Sequence, residues 1–162
     1  MLPADVAFNG TCNRPGDTSC PLLPLVLEPL GYAEPASVGK WHLDNRLDAS
    51  LTPTGRGFAF HEGYWLGEQD YFYHNRSGGY DWHVDLDTDR SVAGTYSTYL
   101  MANASERIIR NHAARHRGPS GEVDTPLFLY HAWQAMHSRE KYEAVGAVRC
   151  ISLRCICPYF TR

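Results

Sequence analysis

The stretch that most restricts how this chain can fold is Val38-Gly39-Lys40-Trp41-His42-Leu43. In an extended backbone successive side chains alternate faces, so Lys40 and His42 would point one way and Trp41 the other. One face then offers two nitrogen donors while the opposite face anchors in a core. Gly39 carries no Cβ, so the backbone can turn there or a ligand can approach closely. Such a pair on a rigid mount suits an anion. The same residues equally describe a strand end with a buried tryptophan and two solvated polar groups, because short polar motifs recur by chance.

The flanking sequence sets this stretch in an α/β chain. Residues 1–21 are rich in Pro, Gly and polar groups and read as an irregular segment. Leu22 to Leu30 can form a short helix that Pro24 suits in its first turn and Pro29 must end. Ala36 to Trp41 reads as a strand and Asp44 to Gly57 as a loop. Phe58 to Tyr80 interleaves eight aromatic rings with glycines, which excludes a regular helix. Those rings could stack on sugars, but a loop-rich layer pinned to the core by its rings is the better reading. Asp85, Asp87 and Asp89 alternate as in a calcium loop, yet Arg90 and Tyr96 stand where that loop needs Gly and Glu, leaving an acidic turn. Thr95 or Ser97 can cap a helix running to about His116, with Leu100, Ala104, Ile108 and His112 along one face. Gly118-Pro119 ends it. Pro126 then starts Leu127-Phe128-Leu129-Tyr130, a short buried-type strand, and His137 follows as a residue on a strand-end loop would.

Composition narrows the functional classes. The chain has 162 residues, 43% hydrophobic and 20% charged, enough for one domain with a real core. A net charge of −3 and scattered basic residues argue against nucleic acid as a partner. The basic residues from Arg107 to Arg117 read as a solvated helix face. No apolar run is long enough to span a membrane, and Met1 to Asp5 lack the pattern of a signal peptide. Three sequons, at Asn9, Asn75 and Asn103, are a mild excess over chance and fit passage through the secretory pathway. Five cysteines leave at least one unpaired. Cys150, Cys155 and Cys157 lack a nearby fourth ligand for zinc, so thiols or one disulfide are the simpler reading.

Gly39-Lys40-Trp41-His42-Leu43 resembles the Gly-Lys-Trp-His-Leu-Gly signature of the type I sulfatases, with Asp44 in place of the final Gly. Collinear stretches agree. Leu23-Pro24, Leu27-Glu28 and Leu30-Gly31-Tyr32-Ala33 are similar to the family's helix before the signature, apart from Pro29. Pro53 to Phe58 and Gly63 to Tyr71 resemble its next two motifs. Gly94 to Thr98, Pro126 to Tyr130 and Gln134 to Ser138 follow in order. The best match is the arylsulfatase B-like (N-acetylgalactosamine-4-sulfatase-like) branch. Past Ser138 the resemblance fades, and the tail from Val148 matches nothing. The organisation expected is therefore an irregular segment 1–21, a sulfatase-domain fragment 22–138 and a divergent tail 139–162.

The resemblance implies part of the alkaline phosphatase-like (sulfatase) α/β fold, an incomplete sheet with flanking helices and parallel strands near 36–41 and 126–130. Both strands would then show unpaired edges, which promote association. It also implies sulfate-ester hydrolysis on an aryl sulfate or a sulfated glycosaminoglycan, in a lysosomal or secreted protein. In the family a formylglycine hydrate, made from the cysteine of Cys-x-Pro-x-Arg, is the nucleophile, and calcium is bound by aspartate and asparagine pairs. By resemblance Lys40 and His42 contact that nucleophile and the sulfate, and His137 holds the sulfate or protonates the leaving oxygen. Cys12-Asn13-Arg14-Pro15 and Cys20-Pro21-Leu22-Leu23 both depart from the nucleophile pattern, and the calcium ligands are not found in this chain. The catalytic set is thus incomplete, and the fragment is expected to be inactive alone. The alternative is a non-catalytic secreted module that binds sulfated carbohydrate.

Overall fold

The computed structural model describes residues 21–43, 48–76, 78–135 and 137. The expectations for residues 1–20, including Asn9, Cys12 and Cys20, and for the tail with Cys150, Cys155 and Cys157, lie outside the described residues.

The first helix, α1 (Leu23–Leu27), has Pro24 in its opening turn and gives way to a 3-10 turn, Glu28–Leu30, that contains Pro29. The α-helix thus stops before the residue whose missing N–H would break it. Strand β1 (Ala36–Lys40) follows, then two 3-10 turns, Ala49–Leu51 and Thr54–Arg56, and strand β2 (Phe60–Tyr64). A two-stranded ribbon, β3 (Asn75–Arg76) with β4 (Gly79–Tyr80), precedes the hairpin of β5 (His83–Val84) and β6 (Asp87–Thr88). The long helix α2 (Ser97–Arg115) leads to β7 (Leu129–Ala132).

The main sheet has the order β6-β5-β2-β1-β7. β1 pairs in parallel with both β2 and β7, while β5 and β6 add antiparallel strands beside β2. This is a mixed α/β fold with a partly parallel sheet, as expected. Two details differ. β1 is the central strand, paired on both sides, so among the described residues only β7 of the two parallel strands expected to have open edges has one. β7 also begins three residues later than Pro126; a proline has no N–H for the ladder, and Phe128 enters the sheet through its carbonyl, which accepts from Ala36 N at 2.9 Å.

α2 packs over the parallel strands. Val38, Tyr64, Trp82, Met101 and Ala104 form the buried core, with Tyr80, Val92, Leu100, Ile108 and Leu129 packed around it. Leu100, Ala104, Ile108 and His112 do share the inward side, joined by Met101 and Ser105. The cap differs from expectation. Tyr96 is the N-cap residue without a side-chain cap, because the Ser97 hydroxyl is buried and donates elsewhere.

The aromatic stretch is largely the core-pinning layer expected from its rings. Phe58 is buried against Trp41, Phe128 and Tyr130, while Tyr71 and Phe72 pack on Tyr96. The acidic turn also stands. Asp85, at φ 53°, and Leu86 link β5 to β6, and the Asp85 carboxylate accepts from His61 N at 2.8 Å. No described helix is long and apolar enough to cross a membrane.

Candidate functional site

The C-terminal ends of the three parallel strands lie side by side, and the chain leaving each one carries polar groups. This is the edge at which ligands bind in open α/β sheets.

β1 reaches that edge through Gly39, which is required by space. A Cβ there would lie 2.0 Å from the Ala132 carbonyl oxygen, and its φ of 96° is a conformation other residues rarely adopt. Lys40 ends the strand, half-buried and in register with Tyr64 of β2. Among the described residues no carboxylate pairs with its ammonium. Trp41 turns into the protein as expected, 4% exposed, with its indole N–H donating to the Leu51 carbonyl at 2.9 Å.

His42 corrects the alternation. Its φ is 51°, so the extended conformation has ended and a strand's two-residue repeat no longer relates it to Lys40. Histidine tolerates this left-handed region better than most residues. Its backbone N–H is tied to the Trp65 carbonyl at 3.0 Å, and its exposed ring lies over Gly67. A Cβ on Gly67 would meet Nε2 at 2.7 Å and Cε1 at 2.8 Å. The glycine therefore makes the seat for the imidazole.

The segment bearing Gly67 is fixed by Asp81. This buried carboxylate accepts from Trp65 N at 3.0 Å and Leu66 N at 2.9 Å. It also meets His83 Nε2 at 3.2 Å, and the His83 ring stacks on Trp65 with centroids 3.8 Å apart. Behind it, His61 is buried with Nδ1 against the Ser37 hydroxyl at 2.8 Å. Burial, helped by His83 and opposed by Asp81, depresses the His61 pKa to about 3. The Tyr64 hydroxyl is pushed above the usual phenol range by burial, then by Tyr71 and Asp81. Both stay neutral at physiological pH and serve the frame.

His137 reaches the same edge from β7. It is exposed and lines a small cleft with Tyr64, Glu68, Gln69, Tyr71 and Gln134. Its backbone is held at both ends. Its N–H donates to the Gln134 carbonyl at 3.1 Å, and its own carbonyl lies 3.4 Å from the Tyr71 hydroxyl, which donates to Gln134 O at 2.8 Å. The Gln134 amide is the buried hub. Its Oε1 accepts from Ser97 Oγ at 2.7 Å and Gln69 Nε2 at 3.4 Å, and its Nε2 donates to the Gln69 carbonyl at 2.7 Å.

Lys40, His42 and His137 thus all fall at one edge of the sheet, Lys40 and His137 each beside Tyr64. Sequence reasoning singled out those three as site candidates and did not anticipate the groups that hold their segments, Gln134, Gln69, Tyr71, Ser97 and Asp81. Only the position of Gln134 just ahead of His137 hinted at any of them. Asn75 and Asn103 are both exposed, on β3 and α2. The residues described do not form a calcium site. No three His, Cys, Asp or Glu side chains converge among them, and the Asp70 and Asp81 carboxylates accept backbone N–H groups.

An α/β sheet with parallel strands and a long covering helix fits the sulfatase fold that the sequence resemblance implies. The alignment to arylsulfatase J of Mus musculus agrees: 36% identity over 140 residues, covering 77% of this chain and 21% of that protein. The chain spans about a fifth of the length of that curated relative. No protein-family profile matches it. Among solved structures it is similar to Ps i-CgsB, with a TM-score of 0.60, 18% identity, and coverage of 75% of this chain and 28% of that one. The same protein in complex with k-i-k-neocarrahexaose gives a TM-score of 0.61 at 18% identity, over 78% of this chain and 29% of that one. The fold is accordingly a partial sulfatase fold, and the likeness holds for sulfatases as a group rather than for one branch.

Proposed function

We propose that this chain is a piece of an arylsulfatase-type sulfuric ester hydrolase, and that its strand-end edge binds the sulfate of a sulfated carbohydrate or aryl sulfate. The observation that carries this reading is that Lys40 is in register with Tyr64, that Tyr64 and His137 line one cleft, and that the His42 ring is seated on Gly67. A sulfate presents acceptor oxygens, and a lysine and two imidazoles donate to them. The oligosaccharide bound by Ps i-CgsB supports carbohydrate as the scaffold of the ester. The arylsulfatase B-like branch, a lysosomal or secreted location, and the division at residues 21 and 138 belong to the same reading.

Within this chain Lys40, His42 and His137 bind and polarise; none of them is a precursor of the family's nucleophile, and neither Cys12 nor Cys20 stands in the required pattern. Hydrolysis by this piece alone is therefore not part of the proposal. Calorimetric titration with an aryl sulfate, followed by assay of released sulfate, tests it. Binding that weakens with Lys40→Ala and releases no sulfate is the expected result. Equal binding by the variant would overturn the site, and sulfate release would overturn the division of labour.

A further inference from the structure

The cleft that holds His137 at the strand-end edge is one-sided in its hydrogen-bond chemistry. Among the described residues that line it, His137 is the one group able to carry positive charge and Glu68 the one carboxylate. Glu68 is half-buried and held twice by Arg76 of β3. The Arg76 Nη1 lies 2.7 Å from Glu68 Oε1 and donates to the Glu68 carbonyl at 3.3 Å. Arg76 does not itself line the cleft, so the wall keeps the carboxylate while the cation that positions it stands outside. An ionised carboxylate accepts several hydrogen bonds, so this one pairing leaves capacity for a ligand. Deeper in, Gln69 is fully buried and its Oε1 has no donor among the described residues. It adds the negative end of an uncompensated amide dipole to the same wall. Two donors beside it are spent inside the protein, the Tyr71 hydroxyl on Gln134 O at 2.8 Å and Gln134 Nε2 on the Gln69 carbonyl at 2.7 Å.

We propose that Glu68 is a specificity-determining residue of this edge. It selects a sulfate ester whose neighbouring substituent is a free hydroxyl and rejects one flanked by a second anion. A hydroxyl can donate to the Glu68 carboxylate, whereas a second sulfate or a sugar carboxylate only accepts and sets like charges side by side. The inference rests on the sulfate-binding reading above and adds to it the chemistry of the flanking group. It also runs against what the cations alone would give. Lys40 and two histidines attract a ligand more strongly the more negative charge it carries, so a preference for the less charged ligand needs an opposing group.

Nuclear magnetic resonance titration of the labelled full chain with three probes at one ionic strength tests the proposal. The probes are inorganic sulfate, a methyl galactoside sulfated at one ring position, and the same sugar sulfated also at both neighbouring positions. The wild-type chain should bind the singly sulfated sugar severalfold more tightly than the fully sulfated one. Glu68→Gln, which keeps the side chain's size and removes its charge, should abolish or invert that preference. The wild-type comparison needs no variant, so it decides the matter even where Glu68→Gln fails to fold. Equal or tighter binding of the more sulfated sugar by the wild-type chain, or the same preference in Glu68→Gln, overturns the proposal while inorganic sulfate still binds. No response to inorganic sulfate overturns the sulfate-binding reading itself, and this inference with it.

Discussion

Replacing Gln134 by leucine should loosen the loop that carries His137, and the cost can be worked from its partners. The Gln134 amide satisfies Ser97 Oγ at 2.7 Å and the Gln69 carbonyl at 2.7 Å, with a weaker contact to Gln69 Nε2 at 3.4 Å. Leucine has similar volume and no polar atoms, so two buried groups lose their partners outright. At about 1–3 kcal/mol for each orphaned group, the loss is about 2–6 kcal/mol. That is a large part of the roughly 5–15 kcal/mol by which a domain is ordinarily stable. Ser97→Ala removes one hydrogen bond but leaves Gln134 its other contacts, costing about 1 kcal/mol. In the double variant Ser97 no longer contributes an orphan, so the combined loss should fall short of the sum by about 1 kcal/mol. Urea denaturation of the four proteins at low protein concentration measures the cycle. A Gln134→Leu loss below about 1 kcal/mol, or strict additivity with Ser97→Ala, would refute the hub.

Other consequences follow from the frame and the edge. His61 has its pKa depressed to about 3, so the unfolded chain takes up a proton near the ordinary histidine value while the folded one does not. Its stabilising contribution is therefore complete above pH of about 6.5 and is lost as pH falls towards about 3, at up to about 1.4 kcal/mol per pH unit; His61→Gln should flatten that part of the denaturation profile. Gly67→Ala should leave the melting temperature nearly unchanged, because the atoms its Cβ meets belong to an exposed ring that can swing away, yet sulfate binding should fall several-fold. Among the described residues nothing pairs with the outer edge of β7, where Tyr130 is 41% and Trp133 49% exposed, so sedimentation should show concentration-dependent association that Tyr130→Lys reduces.

Much of the frame is legible in local sequence because its signals are local. Pro29 limited α1, and the spacing of Leu100, Ala104, Ile108 and His112 marked α2 to within a residue of its end. Glycines among the rings of 58–80 excluded a helix, and Arg90 and Tyr96 excluded a calcium loop. What escaped depends on long-range pairing or on single dihedral angles. Nothing near Gln134 in the chain announces that Gln69, 65 residues away, and Ser97, 37 away, converge on its amide. The order that makes β1 central is likewise a property of the assembled sheet. The shared face assigned to Lys40 and His42 assumed a strand through residue 42. The left-handed turn at His42 ended it, with the imidazole seated on a glycine 25 positions later in a segment fixed by Asp81.

The central claim is that sulfate binds where the parallel strands end. Nuclear magnetic resonance of the labelled chain during titration with inorganic sulfate tests it most directly. The account predicts shifts concentrated at residues 39–42, 64–69 and 134–137 that collapse in Lys40→Ala. Shifts centred instead on the arginines of α2, or an unchanged response in Lys40→Ala, would contradict it.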